Sequence, residues 1–207
     1  MNSELVKKLL ALPDVKLAAV TKKHTREEVD ALHALGVTTF AENRVQEFLE
    51  KYNPDYDWHI IGHLQTNKVK YVVGKVSLIE SVDSLRLAKE IQKQAQKLGI
   101  VQDVLAEVRI SKMDENKTGL PPEELDALLL EMDKMPNIRV RGLMTIASNT
   151  DDQNVVAGEF KAVRKMFDDA AKLYPSMDIC SMGMSSDYEC AIENGANQIR
   201  VGSALFS

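Results

Sequence analysis

Strand-like and helix-like segments alternate along the whole of this chain, and that alternation restricts its folds more than any other feature. Apolar runs recur at 16–20, 38–41, 58–61, 77–82, 104–110, 140–146, 177–180 and 198–201. Between them lie stretches with helix signals. Residues 1–12 read as a short amphipathic helix stopped by Pro13, and Thr25 with Glu28 makes a capping box for a helix ending near Gly36. Further helices are expected from about Arg44, from about Gln65, from an Asp83 cap to Gly99, after Pro121-Pro122, over 155–173 and over 188–194. Strands joined through helices pair in parallel, so the pattern predicts βαβ units. Eight of them suit a closed (β/α)8 barrel, although an open doubly wound sheet has the same order of elements. No linker or shift of composition divides the 207 residues, so 1–207 is expected to be one α/β domain.

Composition removes several classes of function. The net charge of −5 leaves no footprint for nucleic acid or an anionic membrane, and 5% aromatic residues give little material for stacking bases. The first residues carry lysines within their apolar stretch and no small-residue cleavage site, and no run has the length of a bilayer span. Cys180 and Cys190 form no CxxC pattern, which suits reduced thiols in a cytoplasmic protein. His24, His33, His59 and His63 fall at no metal-ligand spacing. Neither a GxGxxG, a Walker loop nor a GxSxG is present.

In a barrel the chemistry collects at the C-terminal ends of the strands. Those ends here carry Lys22, Asn43, Gly62 with His63, Asp83, the polar loop 111–119, Met144, 181–184 and 200–203. Ser181-Met182-Gly183-Met184-Ser185-Ser186-Asp187 and Arg200-Val201-Gly202-Ser203-Ala204 share one form, an apolar run followed by small residues. Such turns let backbone N–H groups approach an anion, so two of them side by side would cradle a phosphate; they also suit ordinary strand-to-helix turns. Lys22 leaves a buried strand at the rim, where cationic neighbours (Lys23, His24) and apolar walls favour a nucleophilic amine. Alone it would be an ordinary loop lysine; with a phosphate cradle and Arg200 at the same end it is a candidate nucleophile. Asn43 either caps the next helix or orients a ligand. His59 reads as a hydrogen-bonded strand histidine, and Lys117 as either an attractor for an anion or a solvated loop charge.

Taken together, 17–23, 40–47, 60–68, 117–119, 141–144, 181–187 and 200–206 resemble one family over nearly the whole chain. The most specific stretches are Ile61-Gly62-His63-Leu64-Gln65-Thr66-Asn67-Lys68 and Met182-Gly183-Met184-Ser185-Ser186-Asp187. The chain is similar to the pyridoxal phosphate homeostasis proteins, single-domain relatives of the alanine racemase barrel. That resemblance implies a TIM-type barrel holding pyridoxal 5′-phosphate (PLP) as a Schiff base on Lys22. It implies that Ser181, Met184, Gly202 and Ser203 hold the phosphate, that Arg200 meets the pyridine nitrogen, that Asn43 lies beside the ring, and that Lys117 influences cofactor exchange. The N-terminal helix looks shorter than is usual in the family, and many relatives run on past the position of Ser207.

The same resemblance implies a carrier for vitamin B6 homeostasis with no substantial catalysis. An arginine at the pyridine nitrogen disfavours its protonation and weakens the ring as an electron sink. Racemisation needs acid and base groups on both faces of the substrate carbon, which two-domain racemases complete with a second domain and a partner subunit. The eighth strand closes the pattern here, so binding PLP and handing it to apo-enzymes is expected in place of turnover, and the low charge asymmetry suits a monomer. The alternatives are a weak PLP-dependent racemase and a cofactor-free, Schiff-base sugar-phosphate barrel.

Overall fold

A computed structural model describes residues 1–111 and 118–207; Lys117 lies outside the described residues. Strands β1 (Lys16–Val20), β2 (Thr39–Glu42), β3 (Asp57–Ile60), β4 (Leu78–Val82), β5 (Gln102–Val108), β6 (Ile138–Thr145), β7 (Ile179–Ser181) and β8 (Gln198–Val201) pair in parallel in chain order. β8 pairs back onto β1, with Lys16, Leu17, Ala18 and Ala19 opposite Gln198, Ile199, Arg200 and Val201. The sheet is therefore a closed barrel, and the open alternative falls.

Helices α1 (Ser3–Leu10), α2 (Arg26–Ala34), α3 (Val45–Lys51), α4 (Leu85–Leu98), α5 (Leu125–Asp133), α6 (Gln153–Ala171), α7 (Tyr188–Glu193) and α8 (Ser203–Phe206) join them. The Thr25–Glu28 capping box forms, and Gly99 ends α4 at φ 65°. Two expectations shift. Ser84, one residue after Asp83, caps α4 by accepting from the Leu87 N–H at 3.3 Å, which leaves Asp83 at the rim. The segment from Gln65 makes a 3₁₀ helix, Thr66–Tyr71, with no side-chain cap; its Thr, Asn and Val residues are weak α formers.

The strands separate two cores. Outward-facing Val, Ile and Leu pack under the helices, and Phe40, Phe48 and Trp58 meet there with ring centroids 5.6 Å apart in the Phe40–Trp58 and Phe48–Trp58 pairs. Each such buried side chain contributes roughly 1.5–3 kcal/mol. Inside the barrel, two small apolar clusters (Ala18, Val20 and Ala41; Leu78, Leu105 and Met144) share the space with buried polar groups. At the floor Arg141 bridges Asp103 at 2.7 Å and Asp178 at 2.6 Å, and Lys16 pairs with Asp57 at 3.0 Å.

Candidate functional site at the C-terminal mouth

The end of β1 turns sharply. The His24 N–H donates to the Thr21 carbonyl at 3.0 Å, and Lys23 sits at φ 66°, as at the third position of a type II turn. Lys22 occupies the second position of that turn and is exposed. Three contacts fix the turn from outside the barrel. The Lys23 N–H donates to Glu47 Oε2 at 2.9 Å, Lys51 Nζ donates to the Thr21 carbonyl at 2.7 Å, and Thr21 Oγ1 donates to Glu42 Oε1 at 2.5 Å. Lys51 also donates to Glu42 Oε1 at 2.5 Å. Burial pushes the Glu42 carboxyl above its ordinary value, against the pull of Lys51 and Thr21. Sequence reasoning passed over Lys51, because a helix lysine is by default a surface residue.

The end of β8 packs directly on this turn. A Cβ on Gly202 would stand 3.0 Å from the Val20 carbonyl oxygen and 3.1 Å from Val20 Cβ, so a side chain there would push the turn after Arg200 away from β1 by a few tenths of an ångström. The Gly202 N–H donates to Ser185 Oγ at 3.2 Å, which ties this turn to the one after β7. In the β7 turn Gly183 lies at φ 96°, and the Met184 N–H donates to Asp187 Oδ1 at 2.6 Å. The two small-residue turns thus stand side by side. Met184 and Gly202 spend their N–H groups within the protein. The N–H groups of Ser185, Ser186 and Ser203 have no protein partner among the described residues.

Ser181 lies inside the barrel, below the rim. It pairs with Gln198 across the β7–β8 seam, two positions below Arg200, and is fully buried. Its hydroxyl accepts from Arg200 Nη1 at 2.8 Å and donates to Glu80 Oε2 at 2.6 Å. Arg200 itself is 3% exposed and donates from Nη2 to the Thr145 carbonyl at 2.7 Å. Burial lowers its pKa from the ordinary value, opposed by the charges of Glu80 and Glu107; an arginine remains protonated all the same.

Asn43 follows β2, which pairs with β1, and it caps nothing: α3 is entered through Arg44 without a side-chain cap bond. Its backbone forms a wall against Gly62, where any Cβ would collide with the Asn43 carbonyl. On the far side of the mouth, Val82 pairs with Ala106, which sets Asp83 and Glu107 in one layer, and His63 Nδ1 stands 3.7 Å from Asp83. Burial pushes the Glu107 carboxyl up; Thr118 Oγ1 donates to its Oε1 at 2.6 Å, while Oε2 has no partner among the described residues. Lys68 lies over the Tyr71 ring on the 3₁₀ helix. No group of three or more metal-ligating side chains occurs among the described residues, and no helix there is long and apolar enough to cross a membrane.

Comparison with known proteins agrees with this geometry. The model of the alanine racemase N-terminal domain matches residues 1–207. The pyridoxal phosphate homeostasis protein of Aquifex aeolicus is 44% identical over 92% of this chain and 86% of its own length. That of Synechocystis sp. is 37% identical over 94% and 91%. PipY of Synechococcus elongatus PCC7942, solved with PLP bound, superposes with a TM-score of 0.91 at 33% identity over the full length of both chains. The alanine racemase of Clostridium difficile 630 shares the barrel at a TM-score of 0.79 and 20% identity, over 99% of this chain and 55% of its own.

Proposed function

The chain belongs to the pyridoxal phosphate homeostasis proteins, within the alanine racemase N-terminal domain family, and from that premise we propose that it holds PLP reversibly as a Schiff base on Lys22 and takes part in PLP homeostasis without substantial catalysis of its own. One observation carries this proposal. Gly202 packs on Val20, which brings the turn after the buried Arg200 against the end of the strand that leads into the Lys22 turn. A lysine amine, a buried guanidinium and two linked turns with open N–H donors then share one end of the barrel. PLP suits that set because it carries an aldehyde, a pyridine nitrogen and a phosphate.

The residues divide the work by their chemistry. Lys22 supplies the amine; its exposure lets cofactor enter and leave. Arg200 donates toward the ring nitrogen, which keeps that nitrogen unprotonated and the ring a poor electron sink. The open N–H groups of Ser185, Ser186 and Ser203, with the Ser203 hydroxyl and the spacing imposed by Met184 and Gly202, receive the phosphate. Asn43 stands beside the ring, and Lys117 bears on exchange. The role is proposed for a cytoplasmic monomer whose receivers are PLP-dependent apo-enzymes.

The test is an absorbance titration with PLP, followed by borohydride reduction and peptide mapping. A visible band fixed by reduction on the Lys22 peptide, and lost in Lys22→Ala, is expected. Label spread over surface lysines would end the proposal. Exchange of an amino acid's α-proton by the loaded protein, abolished in Lys22→Ala, would instead make it a racemase-like enzyme.

A further inference from the structure

One buried carboxylate stands where the proposed chemistry does not call for it. Glu80 lies on β4, fully buried inside the barrel. Its Oε2 accepts from Ser181 Oγ at 2.6 Å, its Oε1 accepts from Gln198 Nε2 at 2.8 Å, and His59 Nδ1 lies 2.7 Å from Oε1. Burial alone would push such a carboxyl up; the bonds and charge of His59, the charge of Arg200 and the Ser181 bond outweigh it and hold Glu80 below its ordinary value. A charge removed from water in this way is costly, and only donors on its lone pairs offset that cost.

The consequence lies one bond further on. A serine hydroxyl has one proton and two lone pairs, and its proton rotates to whichever acceptor is best. Glu80 takes that proton, so both lone pairs of Ser181 are turned toward donors, and the donors present are Arg200 Nη1 at 2.8 Å and Gln198 Nε2 at 3.2 Å. With Nη2 on the Thr145 carbonyl, both terminal nitrogens of the guanidinium are anchored inside the barrel, and Nε makes no hydrogen bond among the described residues.

Resting on the assignment of Arg200 to the ring nitrogen, we propose that Glu80 is a positioning residue for Arg200. By making Ser181 an obligate acceptor it fixes the orientation of the guanidinium and leaves its unbonded edge for an aromatic nitrogen in the mouth. Ser181 is then the anchor of Arg200 and not a phosphate ligand.

The test compares two aldehydes on the full-length chain: PLP, and its carbocyclic analogue with CH in place of the ring nitrogen. The wild-type protein should bind PLP about tenfold more tightly than the analogue, the value of one charge-assisted hydrogen bond. Glu80→Gln and Ser181→Ala should each weaken PLP binding by about tenfold and leave the analogue within about twofold. Ser181→Ala deletes a single hydroxyl and serves if Glu80→Gln does not fold. Equal losses on both aldehydes would mean a structural or phosphate-binding role, and unchanged PLP binding would mean no role; either overturns the proposal. A wild-type protein that does not distinguish the two aldehydes would instead refute the assignment of Arg200 itself.

Discussion

Lys51 on α3 donates to the carbonyl oxygen of Thr21 at 2.7 Å, so a buried cation holds the residue immediately before Lys22. The same ammonium pairs with Glu42, whose side chain is fully buried and whose second oxygen has no partner among the described residues.

Lys51→Met therefore strands a carboxylate and a carbonyl. Breaking a buried pair from one side costs about 3–5 kcal/mol, whereas removing both charges is near neutral. Urea denaturation of Lys51→Met should show that loss, and Lys51→Met combined with Glu42→Leu should recover most of it. A single variant within about 1 kcal/mol of wild type would show that water reaches the pair after all.

Glu107 gives a dependence on pH. Burial, with the charge of Asp83, lifts its carboxyl above the ordinary 4.5, and Thr118, Arg200 and His63 pull the other way without winning. The folded protein thus binds this proton more tightly than the unfolded chain. Its contribution is fully present below the ordinary carboxylate value and is lost as pH rises through the raised one. Denaturation of wild type and Glu107→Gln from about pH 4 to about pH 7 should show the variant gaining on wild type as pH increases. Parallel curves would place the Glu107 pKa at its unfolded value.

Two glycines should respond differently. A Cβ on Gly183 would lie 2.6 Å from Ala191 Cβ, at a φ of 96° that side chains avoid, so Gly183→Ala should cost about 2–4 kcal/mol. Gly202 has φ −127°, and its nearest contact is 3.0 Å, so Gly202→Ala should cost about 1–2 kcal/mol, while weakening PLP binding by parting β8 from β1. Thermal denaturation and the absorbance titration measure the two effects separately. Equal stability losses would mean that the left-handed backbone at Gly183 contributes nothing.

How far the chain could be read from its letters depends on which contacts are local. Each strand and helix announces itself through nearby periodicity and caps, so the (β/α)8 order was legible, and Lys22 and Arg200 stood out at strand ends. Closure was not, because it is settled by β8 meeting β1 across almost the whole sequence. Nor was depth. Ser181 and Ser185 look alike in a small-residue turn, yet one lies in the interior and the other bridges to Gly202 at the mouth. Glu80 and Lys51 were missed for a related reason: a charge is assumed to be solvated until its partners, here from β3, β7 and β8 or from β1 and β2, are known. Alternation in β4 gave the one available hint, since it puts Glu80 on the same face as Leu78, whose side chain packs inside the barrel.

Lys23 offers the last test, because its backbone aims Lys22. A non-glycine residue at φ 66° carries roughly 1–2 kcal/mol of strain, held here by the Glu47 bond to its N–H and by the Thr21–His24 turn. Glycine adopts that conformation freely but gains entropy when unfolded, so Lys23→Gly should fold within about 1 kcal/mol of wild type. Valine is disfavoured there by its branched Cβ, and Lys23→Val should lose roughly 1–2 kcal/mol more than the glycine variant. If the turn is what presents the amine, Lys23→Val should also slow the capture of PLP at Lys22, while Lys23→Gly captures it at close to the wild-type rate despite lacking the second ammonium. Equal slowing in both variants, each of which lacks the ammonium, would show that the charge of Lys23 matters at the mouth and its conformation does not.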